Sequence, residues 1–237
     1  MVSLSKRMEI VASMVTKGNR MADIGTDHGY VPIALVQRGN VKRAIAMDVR
    51  TGPLSKARQH IEEYGLQDNI EIRLSDGMQQ LQEGEVDTIL IAGMGGELIT
   101  HILQDGAKKL HSIKEIIVQP QSEIYKVRKE LHKLGFRIIE EKMFLDEEKY
   151  YVAIKATKGQ ESYDTEWDYV YGKRLLEQRD ETLYEWLRKE YAGTNALCEK
   201  LKHISSESGI IRRRELLHKK EVLEGGLAYY ETTRLNQ

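Results

Sequence analysis

The stretch that decides the fold is MADIGTDHGY, residues 21–30. Its first four residues form an apolar segment that contains an acidic residue, and a turn with two glycines then leads into a second apolar segment. This order predicts a buried strand, a tight turn and a helix. Ligands of open α/β sheets bind at the carboxyl ends of such strands. The dinucleotide pattern G-x-G-x-x-G is absent, so the turn predicts a different ligand. A plain strand-to-helix turn is the alternative.

Strands and helices alternate through the rest of the first 157 residues. Apolar runs predict strands at 20–24, 44–47, 70–74, 86–92 and 115–118. Helical periodicity predicts helices at 4–15, 31–38, 53–64, 97–103 and 122–134. Such alternation predicts a parallel sheet with helices on both faces. Two last strands, 136–144 and 150–156, have a short connection that predicts an antiparallel hairpin at the sheet edge. That hairpin is typical of the methyltransferase variant of the Rossmann-like fold.

The chain changes character once, after residue 158. All three prolines, Pro32, Pro53 and Pro120, lie before this point, and the sequence beyond it is charged and proline-free. Apolar residues spaced three and four apart predict two or three helices in a coiled-coil-like hairpin. We therefore predict a Rossmann-like domain at 1–158 and a helical domain at 159–237.

Composition restricts the classes of function. Lys plus Arg (36) nearly balances Asp plus Glu (37), so any affinity for nucleic acid must come from local positive charge. One cysteine, Cys198, allows neither an intramolecular disulfide nor a cysteine-based zinc site. We see no metal site, no signal peptide and no apolar run of about 18 residues. We therefore expect a cytoplasmic protein that does not span a membrane.

Acidic residues stand at or just after three successive predicted strands. Asp23 suits the cationic methionine end of S-adenosyl-L-methionine, Asp48 suits the ribose hydroxyls, and Asp76 suits the adenine amine. A single aspartate at a strand end is more often a helix cap, but three in succession favour this cofactor. The residues predicted to bind it are Asp23, Gly25, Asp27, His28, Gly29, Asp48, Val49, Ser75, Asp76, Gly77, Gly93 and Met94.

The loop after the fourth strand, IAGMGG at residues 91–96, should border the methyl acceptor. It lacks the Asp/Asn-Pro-Pro-aromatic motif of enzymes that methylate exocyclic amines. Carbon-5 pyrimidine enzymes use a cysteine nucleophile, but Cys198 lies in the helical part. Glycines beside Met94 leave room for a flat ring, although a turn that touches only the cofactor is the alternative.

These motifs together resemble one family. DIGTDHG at 23–29, IAGMGG at 91–96, VQPQ at 118–121 and the opening LSKRM at 4–8 are similar to the bacterial tRNA (adenine-N1)-methyltransferases that modify position 22 of tRNA. The resemblance covers essentially the whole chain. It implies formation of N1-methyladenosine with S-adenosylmethionine, on a Rossmann-like domain followed by a coiled-coil domain.

That chemistry suggests catalytic candidates. Adenine N1 has an in-plane lone pair, so the enzyme mainly aligns the reactants and stabilises the positive charge that develops on the ring. Asp27 is the candidate for this charge, although it could instead cap the next helix or orient the methionine amine. Tyr30 could stack on the base, and Gln119 could bind its edge with Pro120 as a flat wall, or these two could form a simple turn. The catalytic set is Asp27, Tyr30, Met94, Gln119 and Pro120.

RNA contacts would come from local basic residues. The predicted set is Lys6, Arg7, Arg128, Lys129, Arg212, Arg213 and Arg214, although such runs often only solvate a helix. We expect a tRNA substrate and a monomer or weak homodimer. Two alternatives stay open. The scaffold could methylate a small molecule or a protein, or it could be a non-catalytic cofactor-binding adaptor that acts through its helical tail.

Overall fold

The computed structural model describes residues 1–202, 204 and 206–231. The chain divides into two compact units, Met1–Ser162 and Tyr163–Gln237. The division follows Ser162, whereas the change in sequence character suggests residue 158. The strand pair that ends the first unit closes at Lys158, so both boundaries leave it intact.

The first unit is built on a seven-stranded sheet of order β3-β2-β1-β4-β5-β7-β6. The first five strands run parallel, and β7 pairs antiparallel with both β5 and β6. The Rossmann-like methyltransferase sheet and its antiparallel edge hairpin are thereby confirmed. The strands are β1 Met21–Ile24, β2 Ala44–Asp48, β3 Ile70–Leu74, β4 Thr88–Met94, β5 Glu115–Pro120, β6 Phe136–Asp146 and β7 Lys149–Lys158.

The burial pattern of each strand fits its place in the sheet. Every residue of β1, β2 and β5 is buried, as expected for parallel strands covered on both faces. In β6, at the edge, buried residues such as Phe136 and Ile138 alternate with exposed ones. Strand β1 lies between β2 and β4, so the direction in which successive strands are added to the sheet reverses at β1. A crevice at the carboxyl ends of β1 and β4 follows from this switch point.

Five α-helices accompany the sheet, and their ends follow local backbone geometry. They are α1 Lys6–Ser13, α2 Tyr30–Gln37, α3 Thr51–Glu63, α4 Gly96–Asp105 and α5 Ile124–Lys133. The Ser5 side chain caps α1 by accepting from the Met8 backbone N–H. Helix α5 begins later than its sequence suggests, because Glu123 has a left-handed φ of 50°.

The second unit contains the helices predicted for the C-terminal part. They are α6 Lys173–Glu177, α7 Glu181–Lys200 and α8 Glu207–Glu231. Helices α7 and α8 pack against each other, and the Asp180 side chain caps α7 by accepting from the Leu183 N–H at 2.8 Å. A coiled-coil geometry for this pair stays a prediction.

Two adjacent glycines let aromatic rings approach α8 closely. A Cβ atom on Gly225 would lie 2.3 Å from the Trp167 ring, and one on Gly226 would lie 2.8 Å from the Tyr171 ring. Both distances are below any normal contact, so only glycine fits here. None of the helices in the described part of the chain is long and apolar enough to cross a membrane.

Candidate functional site

The turn after β1 has an unusual backbone. Gly25, His28 and Gly29 all have positive φ, at 75°, 58° and 74°. Glycine adopts this region freely, whereas His28 is an uncommon residue there. The amide N–H groups of Gly25 and Thr26 both donate to the carbonyl oxygen of Met47, each at 2.8 Å. The turn is therefore fixed against the end of β2.

Asp23 is a buried carboxylate at the base of this turn. It is 6% exposed, and its Oδ2 accepts from the Thr26 hydroxyl at 2.7 Å. Burial raises the pKa of Asp23 from 3.8 to about 6, against the lowering effect of the Thr26 hydrogen bond. The nearby Asp27 and Asp48 carboxylates raise this pKa further. Such a carboxylate gains from the arrival of a cation.

Asp48, at the end of β2, is also buried. Its Oδ1 accepts from the Arg50 backbone N–H at 2.7 Å and lies 3.6 Å from the Arg50 Nε. Both contacts use the same oxygen, so within the described part of the chain Oδ2 has capacity for a ligand. Asp48 does not cap α3, whose N-cap position is Arg50 and which has no side-chain cap hydrogen bond.

Two cavities lie at this edge of the sheet. The first, of about 260 Å³, is lined by Arg7, Asp23, Asp27 and Tyr30 among others. The second, of about 310 Å³, is lined by residues predicted to bind the cofactor, together with Ile24, Arg50, Leu98 and Ile102. Those predicted residues are Gly25, Asp48, Val49, Ser75, Asp76, Gly77 and Met94.

Gly25 is shared by the two cavities, and Met94 lines the second of them. Gly25 lines both of them, and a Cβ atom on it would lie 1.9 Å from the Met94 methyl carbon. The Met94 side chain therefore covers Gly25. A side chain at position 25 would displace the Met94 methyl group, so Gly25 has a steric reason as well as a conformational one.

The catalytic candidates beside the turn lie at the mouth of the first cavity. The Asp27 side chain is 84% exposed and pairs with His28 Nε2 at 3.3 Å. The Tyr30 ring stacks on His60, with centroids 4.9 Å apart, and His60 Nδ1 donates to the His28 carbonyl oxygen at 3.0 Å. His60 lies on α3 and gave no sequence signal, because only the fold brings it to the turn.

Gln119 and Pro120 are not available at the surface of the cavity. Both are buried in β5. The Gln119 Oε1 accepts from the Arg7 Nη1 at 2.8 Å, and its Nε2 donates to the Pro120 carbonyl oxygen. The prediction that these two residues contact the adenine edge is therefore wrong for this structure, since the amide is already paired beneath Arg7.

The predicted RNA-binding residues separate into three groups. Arg128 is fully buried and pairs with Glu141 at 2.8 Å, so its predicted contact with phosphate is wrong. Arg7 lines the first cavity. The remaining residues, Lys6, Lys129, Arg212, Arg213 and Arg214, lie wholly or partly exposed on α1, α5 and α8.

Two other chemistries find no support among the described residues. No group of three or more His, Cys, Asp or Glu side chains within 1–202, 204 and 206–231 is arranged to hold a metal ion. Cys198 is buried within α7 of the second unit, whereas the cavities belong to the first unit.

A sheet of this order with an antiparallel hairpin at its edge, and acids at its strand ends, defines a Rossmann-like methyltransferase. The comparisons agree. A family model described as "Methyltransferase domain" matches residues 4–154. A Bacillus subtilis tRNA (adenine(22)-N(1))-methyltransferase is 31% identical over 231 residues, which cover 94% of this chain and 96% of that protein. The chain belongs to the methyltransferase-domain family and, within it, to the tRNA (adenine(22)-N(1))-methyltransferase family.

Solved structures extend the similarity to both units. The crystal structure of the B. subtilis m1A22 tRNA methyltransferase TrmK has a TM-score of 0.86 at 29% identity, covering 96% of this chain and 100% of that one. M. capricolum TrmK, in complex with S-adenosyl-homocysteine, has a TM-score of 0.82 at 26% identity and covers 95% and 98%. The family resemblance expected from the motifs is thereby confirmed.

Proposed function

We propose that this chain methylates N1 of adenine 22 in tRNA with S-adenosyl-L-methionine and releases S-adenosylhomocysteine. One observation carries the proposal: buried or cavity-lining acids from three strand ends border two cavities that share Gly25. The similarity over nearly the whole length to a tRNA (adenine(22)-N(1))-methyltransferase supports the choice of substrate. We further propose that the protein acts in the cytoplasm as a monomer or weak homodimer.

The residues of the two cavities fit the cofactor. Buried Asp48 has an oxygen left to accept the ribose hydroxyls, and Asp76 lines the same cavity for the adenine amine. Buried Asp23 faces the other cavity, where a cationic amine would lower its pKa from about 6. Gly25 lines both cavities and presents only its backbone to a ligand there. When bound, S-adenosylmethionine supplies a sulfonium methyl group that is already electrophilic.

The chain's own residues then have two tasks at the acceptor. Orientation of adenine N1 can contribute about 7–11 kcal/mol in favourable cases, and Tyr30, stacked on His60, offers a flat surface for the ring. Methylation leaves positive charge on the ring. The Asp27 carboxylate, at the mouth of the cavity, stabilises that charge and accepts a proton from the N6 amine.

Binding of the tRNA is assigned to the exposed basic residues. Extruding a base from folded RNA costs a few kcal/mol, which contacts between basic side chains and phosphates offset. Arg212, Arg213 and Arg214 follow one another on the surface of α8, and Arg212 pairs only locally with Glu215 at 2.8 Å. These three arginines are the strongest candidates.

The test uses two tRNA transcripts that differ only at position 22, one with adenine and one with guanine. Each is incubated with the protein and S-adenosylmethionine, digested to nucleosides and analysed by mass spectrometry. We expect N1-methyladenosine only from the transcript with adenine. Methylation of both transcripts, or of neither, would overturn the assignment. Label transferred to free metabolites or proteins in an extract would favour a different acceptor, and uptake of cofactor without any transfer would favour an adaptor.

A further inference from the structure

We propose that His60 is a positioning residue for the methyl acceptor and that it acts through the backbone of His28. The hydrogen bond from its ring to the His28 carbonyl oxygen holds the second half of the turn after β1. This half of the turn presents Asp27 and Tyr30 to the first cavity. The inference rests on the proposed function and deepens it, since it adds a residue of α3 to the acceptor site.

The two halves of the turn have different anchors. The Gly25 and Thr26 N–H groups donate to the Met47 carbonyl oxygen at 2.8 Å each, so β2 holds the first half. In the second half, His28 has a φ of 58°, a region that costs free energy for any residue with a Cβ atom. Its carbonyl oxygen accepts from His60 Nδ1 at 3.0 Å. This bond, across 32 positions of the chain, stabilises the uncommon backbone conformation.

Helix α3 packs against the turn beside this hydrogen bond. A Cβ atom on Gly29 would lie 3.2 Å from the Cβ atom of Ala57, which is three residues before His60 on the helix. Helix α3 buries Leu54, Ala57 and Ile61, so apolar contacts dock it, whereas His60 is only half-buried. The polar contact of His60 therefore acts on the turn rather than on the docking of the helix.

Three rings connect the turn to the mouth of the cavity. The Tyr30 and His60 rings stack with centroids 4.9 Å apart, and the His28 ring lies 5.8 Å from Tyr30 and 6.0 Å from His60. The His28 Nε2 also pairs with Asp27 at 3.3 Å. A change in the His28 backbone would therefore move Asp27. The backbone of Tyr30 is already fixed by α2, so the stack acts mainly on its ring.

Two variants separate the hydrogen bond from the ring. His60→Phe keeps an aromatic ring and removes the donor, whereas His60→Asn removes the ring and keeps an N–H donor close to the position of Nδ1. The measurements are kcat and KM with tRNA, and the calorimetric affinity for S-adenosylhomocysteine. We expect His60→Phe to lower kcat about 10-fold, the effect of losing one hydrogen bond, and to keep the affinity within about threefold. His60→Asn should recover most of the lost kcat.

Gln59→Phe is the matched control, because it adds a ring at the neighbouring exposed position of α3. It should behave like the wild type in both assays. Unchanged kcat in His60→Phe, or an equal loss in His60→Asn, would overturn the role of the hydrogen bond. A loss of cofactor affinity that matches the loss of kcat would assign His60 to packing and overturn the inference. A comparable loss in Gln59→Phe would overturn it as well.

A measurement on the free protein separates this inference from the proposed function. Donation to a carbonyl oxygen requires a proton on His60 Nδ1. Nitrogen-15 spectra of the histidine-labelled wild type at pH 8 should therefore contain a protonated Nδ1 signal that His60→Asn removes. Absence of that signal would overturn the inference. A wild type that shows the signal but methylates no tRNA would refute the proposed function and leave the hydrogen bond to His28 standing.

Discussion

Replacing Asp23 by asparagine should stabilise the free protein at neutral pH while removing an important part of the binding site. The buried carboxylate has a pKa raised from 3.8 to about 6, first of all by burial. A group whose pKa is higher in the folded state contributes stability at low pH, and this contribution is lost as the pH rises through 6. At about 1.4 kcal/mol per pH unit, ionised Asp23 costs the folded protein up to about 3 kcal/mol.

Asparagine removes that cost and can still accept the hydrogen bond from the Thr26 hydroxyl. We therefore expect a higher melting temperature for Asp23→Asn at pH 8, by about 6–12 °C if the full effect appears. The difference should shrink as the pH falls from 6 towards 3.8 and disappear well below 3.8, where the wild-type carboxylate is protonated in both states. The assay is thermal unfolding of both proteins at several pH values, with Asp76→Asn as the control at an exposed carboxylate.

Addition of S-adenosylmethionine should reverse the order of the two melting temperatures, so that the wild type melts above Asp23→Asn. The ligand stabilises the wild type in proportion to its binding, because its ammonium group provides the missing counter-ion for Asp23. It should stabilise Asp23→Asn much less. A variant that melts below the wild type at pH 8 would refute the buried-charge reasoning. A variant that gains as much from the ligand as the wild type does would refute the role of Asp23 in the site.

Three further predictions concern other parts of the chain. Gly25→Ala should weaken cofactor binding by about 10-fold or more, because alanine is strained at a φ of 75° and its methyl group would displace the Met94 side chain; normal binding in a calorimetric titration would contradict this. Arg128→Met should lower the free energy of unfolding in urea by about 3–5 kcal/mol, since it removes the guanidinium that pairs with the buried Glu141 carboxylate, and Arg128→Met with Glu141→Leu should recover most of the loss. Replacing the arginine run 212–214 by glutamine should weaken tRNA binding and flatten its salt dependence without changing affinity for S-adenosylhomocysteine; unchanged tRNA binding would assign the run to solvation.

The sheet could be predicted because its signals are local. Continuous apolar runs identify the parallel strands, and the short connection after Phe144 identifies the edge hairpin. The same local patterns predict the placement of Asp23, Asp48 and Asp76, since the carboxyl ends of parallel strands meet at one edge. The spacing of apolar residues likewise predicts the helices of the second unit.

The wrong predictions for Gln119 and Arg128 arise where segments that are distant in sequence meet. Arg7 and Gln119 are 112 residues apart, so no local pattern indicates that one is paired with the other beneath the cavity. The basic neighbours of Arg128 on α5 predict a surface charge, yet Arg128 lies beside buried Val127 and Leu131 and pairs with Glu141 of β6. Its position between two apolar residues of the same helix face is the sequence feature that indicates burial.

We propose, as the central claim, that acids at the strand ends hold one adenosyl cofactor. Calorimetric titration of S-adenosylhomocysteine into the wild type and into Asp48→Ala tests it most directly. We expect one binding site per chain in the wild type and an affinity at least about 10-fold lower in the variant, because a charged acceptor for the ribose is lost. An absence of binding to the wild type, or equal affinity in both proteins, would contradict the claim.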